Sequence, residues 1–148
     1  KYPVYGSNGV VGSFDDYNSE DSPVIGHIGA YAGIVNWGSG KHFVTYNGVI
    51  CNCMNDKVIS KYGYYLLLMQ DYLSVANSAS QPFVSYDILN KPTVTIPSLK
   101  EQQRIVAILD RFDTLCNDIS SGLPAEIAAR TKQYEYYRDK LLTFPERA

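Results

Sequence analysis

Up to about Pro97 the chain alternates short β-branched or aromatic runs with glycine; beyond it glycine nearly vanishes and apolar residues take helical spacing. Pro3 to Tyr5 and Val10 to Val11 flank Gly6-Ser7-Asn8-Gly9, and an Asn-Gly pair between such runs predicts a tight hairpin turn. Val24 to Ile28, Ile34 to Trp37, Phe43 to Tyr46 and Val49 to Met54 predict further strands. Turn formers at Gly29 to Gly33, Ser39-Gly40 and Asn47-Gly48 separate them. From Ser60 to about Val75 the period changes: Tyr64, Leu67, Leu68, Tyr72 and Val75 recur along one helical face, predicting a helix packed on the sheet. A polar stretch, Ala76 to Gln81, leads into Pro82-Phe83-Val84-Ser85, and Thr93 to Ile96 predicts a last strand ended by Pro97.

After Pro97, Ile105, Leu109, Phe112, Cys116, Ile119 and Leu123 step by four, three, four, three and four residues. That is the seam of a helix packed along another helix. Gly122-Leu123-Pro124 breaks the run, and Ile127, Tyr134, Tyr137, Leu141 and Phe144 resume out of phase. The tail is therefore a long kinked helix or two consecutive helices, forming a coiled-coil-like arm. If fully helical, residues 99 to 143 span on the order of 65 Å. A seam that long calls for a partner helix, the alternative being that it folds back onto the first region. The fold class is α+β: a small twisted mixed sheet domain with a packed helix over 1–97, then a helical region over 98–148.

Composition changes this picture little. The 148 residues, 45% of them hydrophobic, suffice for a core. Thirteen basic against 15 acidic residues leave a net charge of −2, which counts against a stand-alone nucleic-acid binder, because Lys and Arg supply most non-specific affinity for DNA. Thirteen tyrosines suit recognition surfaces and half-buried packing alike. Cys51, Cys53 and Cys116 are an odd set without the second Cys or His cluster a zinc site needs, and read as reduced thiols. No signal peptide or apolar run of transmembrane length is visible, so a cytoplasmic location without membrane contact is expected.

Signatures of catalysis are poor. His27 and His42 are the two histidines, and neither has metal-ligand spacing or a nucleophile elbow beside it. The glycine repeats at Gly6, Gly9 and Gly12 and at Gly26, Gly29 and Gly33 lack phosphate-loop spacing and read as hairpin turns. Asp15, Asp16, Glu20 and Asp21 read as one solvated loop, without the pattern of a calcium loop. Polar side chains cluster instead in expected loops: Ser7 and Asn8, Lys41 and His42, Tyr46 and Asn47, and Ser78, Ser80 and Gln81. Asn and Gln bond adenine bidentately and Lys reads guanine or grips phosphate, although the same residue types populate ordinary loops.

In order along the chain stand Tyr2-Pro-Val-Tyr-Gly-Ser-Asn-Gly-Val-Val-Gly12, the Ile25-Gly to Gly33-x-Val35 loop, Thr45-x-Asn47-Gly48 and Gln81-Pro-Phe-Val-Ser85. They are followed by Ile96-Pro-x-Leu-x-Glu-Gln-x-Arg-Ile-Val-x-Ile-Leu-Asp110 and by Lys132-Gln-Tyr-Glu-Tyr-Tyr-Arg138 with Leu141-Leu142. With these motifs the chain resembles specificity subunits of type I restriction-modification systems over nearly its whole length. The resemblance implies a target recognition domain reading one half of a bipartite double-stranded DNA site through the major groove. It also implies a helical region that pairs antiparallel with a second one as a ruler. Methyltransferase (M) subunits and a translocating endonuclease (R) subunit would dock on this frame and hold S-adenosylmethionine, ATP and magnesium, leaving the chain itself non-catalytic, without cofactor or metal.

Ser7, Asn8, Tyr31, Lys41, His42, Tyr46, Asn47, Ser80 and Gln81 then become positions in recognition loops. Ile105, Leu109, Phe112, Cys116, Ile119, Leu123, Ile127, Tyr134, Tyr137 and Leu141 become the helix-pairing interface. Two departures from the family pattern are expected to matter. The chain starts inside the recognition domain, so it looks truncated or processed. It also carries one recognition domain and one helical region without internal repeat, which predicts either a two-fold homodimer reading a symmetric interrupted site or pairing with a second specificity half. A non-catalytic interaction or regulatory module working through the helices is the alternative.

Overall fold

The computed structural model describes residues 1–53, 56–76, 82–118 and 122–142, of which 139–142 are described as backbone. Contacts divide the chain into two compact units, Lys1–Val106 and Ala107–Ala148. The first holds β1 (Tyr2–Gly6), β2 (Gly9–Phe14), β3 (Ser19–Gly26), β4 (Val35–Val44) and β5 (Gly48–Ile50), then α1 (Ser60–Leu68), α2 (Tyr72–Val75) and α3 (Tyr86–Leu89). It also holds the first turns of α4 (Leu99–Asn117), whose remainder shares the second unit with α5 (Leu123–Leu142).

The sheet has the order β2-β1-β4-β3-β5, with β1 and β4 parallel and the other pairs antiparallel. This mixed sheet with packed helices is α+β, as expected. The first hairpin closes at Gly6↔Gly9 around Ser7-Asn8. Gly9 takes φ +80 while Ser7 and Asn8 keep negative φ, so the turn owes its closure to a glycine in a backbone region that L side chains resist.

Several strands differ from the pattern's prediction, among them β3, which ends at Gly26 and not at Ile28. Glu20 and Asp21 belong to β3 and not to a loop. Ser39-Gly40 does not end a strand either: β4 runs through it by means of a bulge, in which Asp21 (φ 43) accepts the Gly40 N–H at 2.7 Å. Bulges of this kind bend a strand without ending its pairing. Val49 onward pairs only as far as Ile50, and Met54 lies outside the described residues. Among the described residues, Thr93 to Ile96 is not paired in a strand; Val94 and Ile96 instead line a cavity of about 270 Å³ with Cys51, Cys53, Leu66 and Leu67.

The helix expected over Ser60–Val75 is two. Asp71 adopts a left-handed conformation (φ 46, ψ 49) and restarts the chain as α2, turning Tyr72 to 3% exposure while Leu68 and Val75 remain exposed. Tyr72 joins Ile25, Ala32 and Val84 in the core, with Val35, Cys51, Leu67, Ile88 and Leu89 packed around them. α3, not anticipated from the pattern, begins at Ser85, whose Oγ accepts the Ile88 N–H at 3.3 Å. That bond satisfies one of the donors a helix start leaves open.

One residue secures the start of α4. Gln102 is fully buried; its Nε2 donates to Lys57 O (2.6 Å) and Pro97 O (2.9 Å), and its Oε1 accepts from Ile59 N (2.9 Å). In the second unit, Gly122 N donates to Asp118 O and Gly122 O receives Ala125 N and Glu126 N, so the predicted Gly122-Leu123-Pro124 break separates two helices. Pro124 sits in the first turn of α5, where its missing N–H costs nothing.

Candidate nucleic-acid interface

The last residues of β3 organise a rim of loops. Gly26 is pressed from both sides: a Cβ there would lie 2.5 Å from the carbonyl oxygens of Ser7 and Tyr31. That contact brings the β1–β2 turn against the 28–33 loop. Gly26 pairs with Gly48 at the start of β5, and His27 N donates to Asn47 O (2.8 Å), which adds the 45–47 turn. Gly29 N reaches Pro82 O, Val84 N reaches His27 O, and Ile28 bridges Phe83, which adds a fourth segment.

Each loop is held from beneath and presents a side chain outward. Ala32 is 1% exposed, and Gly33 lies so close to α2 that a Cβ would sit 2.5 Å from Tyr72 C, so Tyr31 faces out at 48%. Thr45 binds Tyr5 O through its N–H (3.0 Å) and its hydroxyl (3.3 Å), and its own carbonyl accepts Gly48 N–H (3.0 Å). Tyr46 therefore projects at 82% exposure from a braced turn. Asn8 is exposed at the hairpin tip beside half-buried Ser7, and Asn47 is half-buried. Held loops lose little conformational entropy on binding, which favours specific recognition.

The structure thus brings Ser7, Asn8, Tyr31, Tyr46 and Asn47 to one end of the sheet. It does not bring Lys41 or His42 there. Lys41 is paired with Glu20 across β3–β4, six residues from Gly26, or about 20 Å of strand. Its ammonium lies 4.5 Å from the Tyr17 ring centre, and contact with Tyr17 pushes its pKa up. His42, expected in a DNA-facing loop, is 0% exposed. Its Nδ1 bonds Gly40 O (2.8 Å); since a carbonyl only accepts, Nδ1 carries the proton. Nε2 then accepts from Ser22 Oγ (3.3 Å), which is paired in turn with Ser19 Oγ (2.6 Å). A serine–histidine contact thus exists where the sequence offered none, but Ser22 is 2% exposed and no substrate reaches it. His42 is a packing residue. Ser78, Ser80 and Gln81 lie outside the described residues.

Electrostatics distinguish the two ends of β3. No carboxylate occurs before Asp15 or between Asp21 and Asp56, so the β1–β2 turn and the 28–33 and 45–47 loops are free of acids. Asp15, Asp16, Glu20 and Asp21 lie at the close of β2 and the start of β3, where Asn18 bonds the Val44 N–H and carbonyl just before the 45–47 turn. Asp87 of α3, beside Tyr86, is the carboxylate nearest the rim in chain terms. The β1–β2 turn and the 28–33 and 45–47 loops themselves carry no charge that repels a polyanion. Two rim residues escaped the sequence reading: His27, and Tyr86, which is 62% exposed with its ring 5.6 Å from the His27 ring. A lone histidine and a tyrosine among thirteen carry no distinguishing signal in sequence.

In the second unit the expected seam residues are largely uncovered. Phe112 is 60%, Leu123 44%, Ile127 65%, Tyr134 65% and Tyr137 52% exposed. Cys116 is exposed as well, whereas Leu109 is half-buried, as is Ile105 in the first unit. Ile119 and the Leu141 side chain lie outside the described residues. Among the described residues there is no cluster of metal-ligating groups, and no helix is long and apolar enough to cross a membrane.

Polar and aromatic side chains on braced, carboxylate-free loops are the features of a recognition domain. The family model described as the type I restriction modification DNA specificity domain matches residues 1–129, and the chain belongs to that family. It is thereby a specificity component and not a catalyst. The EcoR124I/EcoR124II specificity subunit of Escherichia coli is 44% identical over 96 residues, 62% of this chain and 24% of that subunit. The MpnII specificity subunit of Mycoplasma pneumoniae is 31% identical over 146 residues, 96% of this chain and 44% of that subunit. A crystal structure of a type I restriction-modification S subunit from M. genitalium shares the fold, with a TM-score of 0.70 and 20% identity over 94% of this chain and 38% of that one. The chain thus spans less than half the length of each of these three.

Proposed function

We propose that residues 1–97 read one half of a bipartite DNA site through the major groove and that residues 98–148 set the spacing to a second reader. The chain in this reading brings M subunits, and through them an R subunit, to that site, with S-adenosylmethionine, ATP and magnesium held by those partners. The observation that carries the proposal is the convergence of Ser7, Asn8, Tyr31, Tyr46 and Asn47 on carboxylate-free loops around the end of β3. With one net negative charge for each 74 residues, the grip on phosphates falls largely to the partner subunits, so the isolated chain binds DNA weakly.

The test is a complex reconstituted with M subunits and carrying Asn8→Ala, Tyr46→Ala and Asn47→Ala together. Loss of sequence-specific DNA retention with unchanged assembly supports the reading role. Unchanged retention leaves the second reading, an interaction or regulatory module, which the uncovered Phe112, Ile127, Tyr134 and Tyr137 favour. In both readings these residues pair with a second copy or another specificity half, and sedimentation as a monomer at micromolar concentration argues against self-pairing.

A further inference from the structure

We propose that His27 is a specificity-determining residue whose Nε2 accepts a hydrogen bond from the exocyclic amino group of an adenine or cytosine. This rests on the DNA-reading role proposed above. His27 occupies the middle of the rim: it follows Gly26, its N–H is held by Asn47 O (2.8 Å), and its carbonyl accepts Val84 N–H (2.9 Å). The ring is held as firmly as the backbone. Nδ1 lies 2.7 Å from Val84 O; because that carbonyl only accepts, Nδ1 carries a proton, and in the neutral imidazole Nε2 is then left as an acceptor. The Tyr86 ring braces the imidazole from one side.

Among the described residues Nε2 has no hydrogen-bond partner, and the side chain is half-buried; the buried side-chain atom without a partner among them is Asn36 Nδ2. An acceptor fixed in this way discriminates by chemistry. In the major groove adenine N6 and cytosine N4 donate, whereas guanine O6 and N7 and thymine O4 accept and would face its lone pair. Arg and Lys, the usual readers of guanine, are absent from the rim's described segments, which agrees with an acceptor-led readout.

The experiment uses the complex with M subunits and compares the base preference of wild type, His27→Asn and His27→Gln on duplexes randomised across the half-site. The Asn amide keeps a donor for Val84 O and removes the outer acceptor; the Gln amide gives up the inner bond and keeps a polar atom near the outer position. His27→Asn is expected to relax discrimination at one base position by about tenfold with the other positions unchanged. His27→Gln should retain more of it. Wild-type binding to duplexes with single adenines or cytosines lacking the amino group should weaken at that same position, and His27→Asn should be indifferent to the change.

An unaltered profile in His27→Asn, or uniform weakening at every position, overturns the assignment. So does loss of discrimination in His27→Gln alone, since that outcome assigns the ring to holding Val84. If His27→Asn does not fold, His27→Ala takes its place in the same comparison. A wild-type complex without any base preference would instead overturn the DNA-reading role itself, which keeps the two failures distinguishable.

Discussion

Replacing Gln102 tests how α4 is joined to the sheet unit, because all three of its partners are backbone groups of that unit. Gln102→Met preserves side-chain length and removes every hydrogen bond. Ile59 N then loses its acceptor, and Lys57 O and Pro97 O lose their donor, at a side chain that is fully buried. A neutral hydrogen bond contributes about 1 kcal/mol net, and an orphaned buried group costs about 1–3 kcal/mol. Three bonds to neutral groups, with water reaching some of the freed carbonyls, put the loss at about 3 kcal/mol. For a unit of this size that lowers Tm by about 12 °C. Gln102→Ala should cost more, because it adds a cavity to the same three orphans. Thermal melting of both variants by far-UV circular dichroism decides the matter. A Met variant within about 0.5 kcal/mol of wild type would refute the reasoning and leave Gln102 as a space filler.

Other consequences follow from single contacts. Gly26→Ala places a methyl group 2.5 Å from two carbonyl oxygens, and should cost about 2 kcal/mol in a denaturant melt; it should also blunt base discrimination by parting the hairpin turn from Tyr31. Burial pushes the Cys51 thiol up to about 11, so at pH 8 about one molecule in a thousand carries the thiolate; exposed Cys116 should react with iodoacetamide far sooner, as peptide mapping would show. Arg104→Ala frees Glu101, whose carboxyl the guanidinium holds below its ordinary range. Because a depressed carboxyl contributes stability at neutral pH that is lost on acidification, the variant should show a weaker acid dependence. For so exposed a pair, Tm at pH 7 should barely move. Phe112→Glu with Ile127→Glu should abolish any self-association seen by analytical ultracentrifugation while leaving the melting of the sheet unit unchanged.

What the sequence makes legible here is what local chemistry decides. Asn8-Gly9 marks the first turn because Gly9 takes a positive φ there, and Gly122-Leu123-Pro124 marks the helix break because a Cβ at Gly122 would lie 2.5 Å from Leu115 O while Pro124 suits the first turn of the next helix. Glu20 and Asp21 escape because nothing local shows that a bulge opposite Gly40 will carry an acidic pair through a strand. Periodicity also follows apolar side chains, and the one buried residue of α4 is Gln102, which a count of hydrophobic positions passes over.

The two histidines show the limit most clearly. Each donates from Nδ1 to a carbonyl, Gly40 for His42 and Val84 for His27, so the two rings carry the same tautomer. The outer nitrogen of His42 meets Ser22 inside the sheet, whereas that of His27 has no hydrogen bond among the described residues. Pairing across the sheet decides which ring is buried and which stays half-buried at the rim, and residues twenty or fifty-seven positions away make that choice. A reading of neighbours along the chain therefore placed the buried histidine in the recognition loops and passed over the half-buried one.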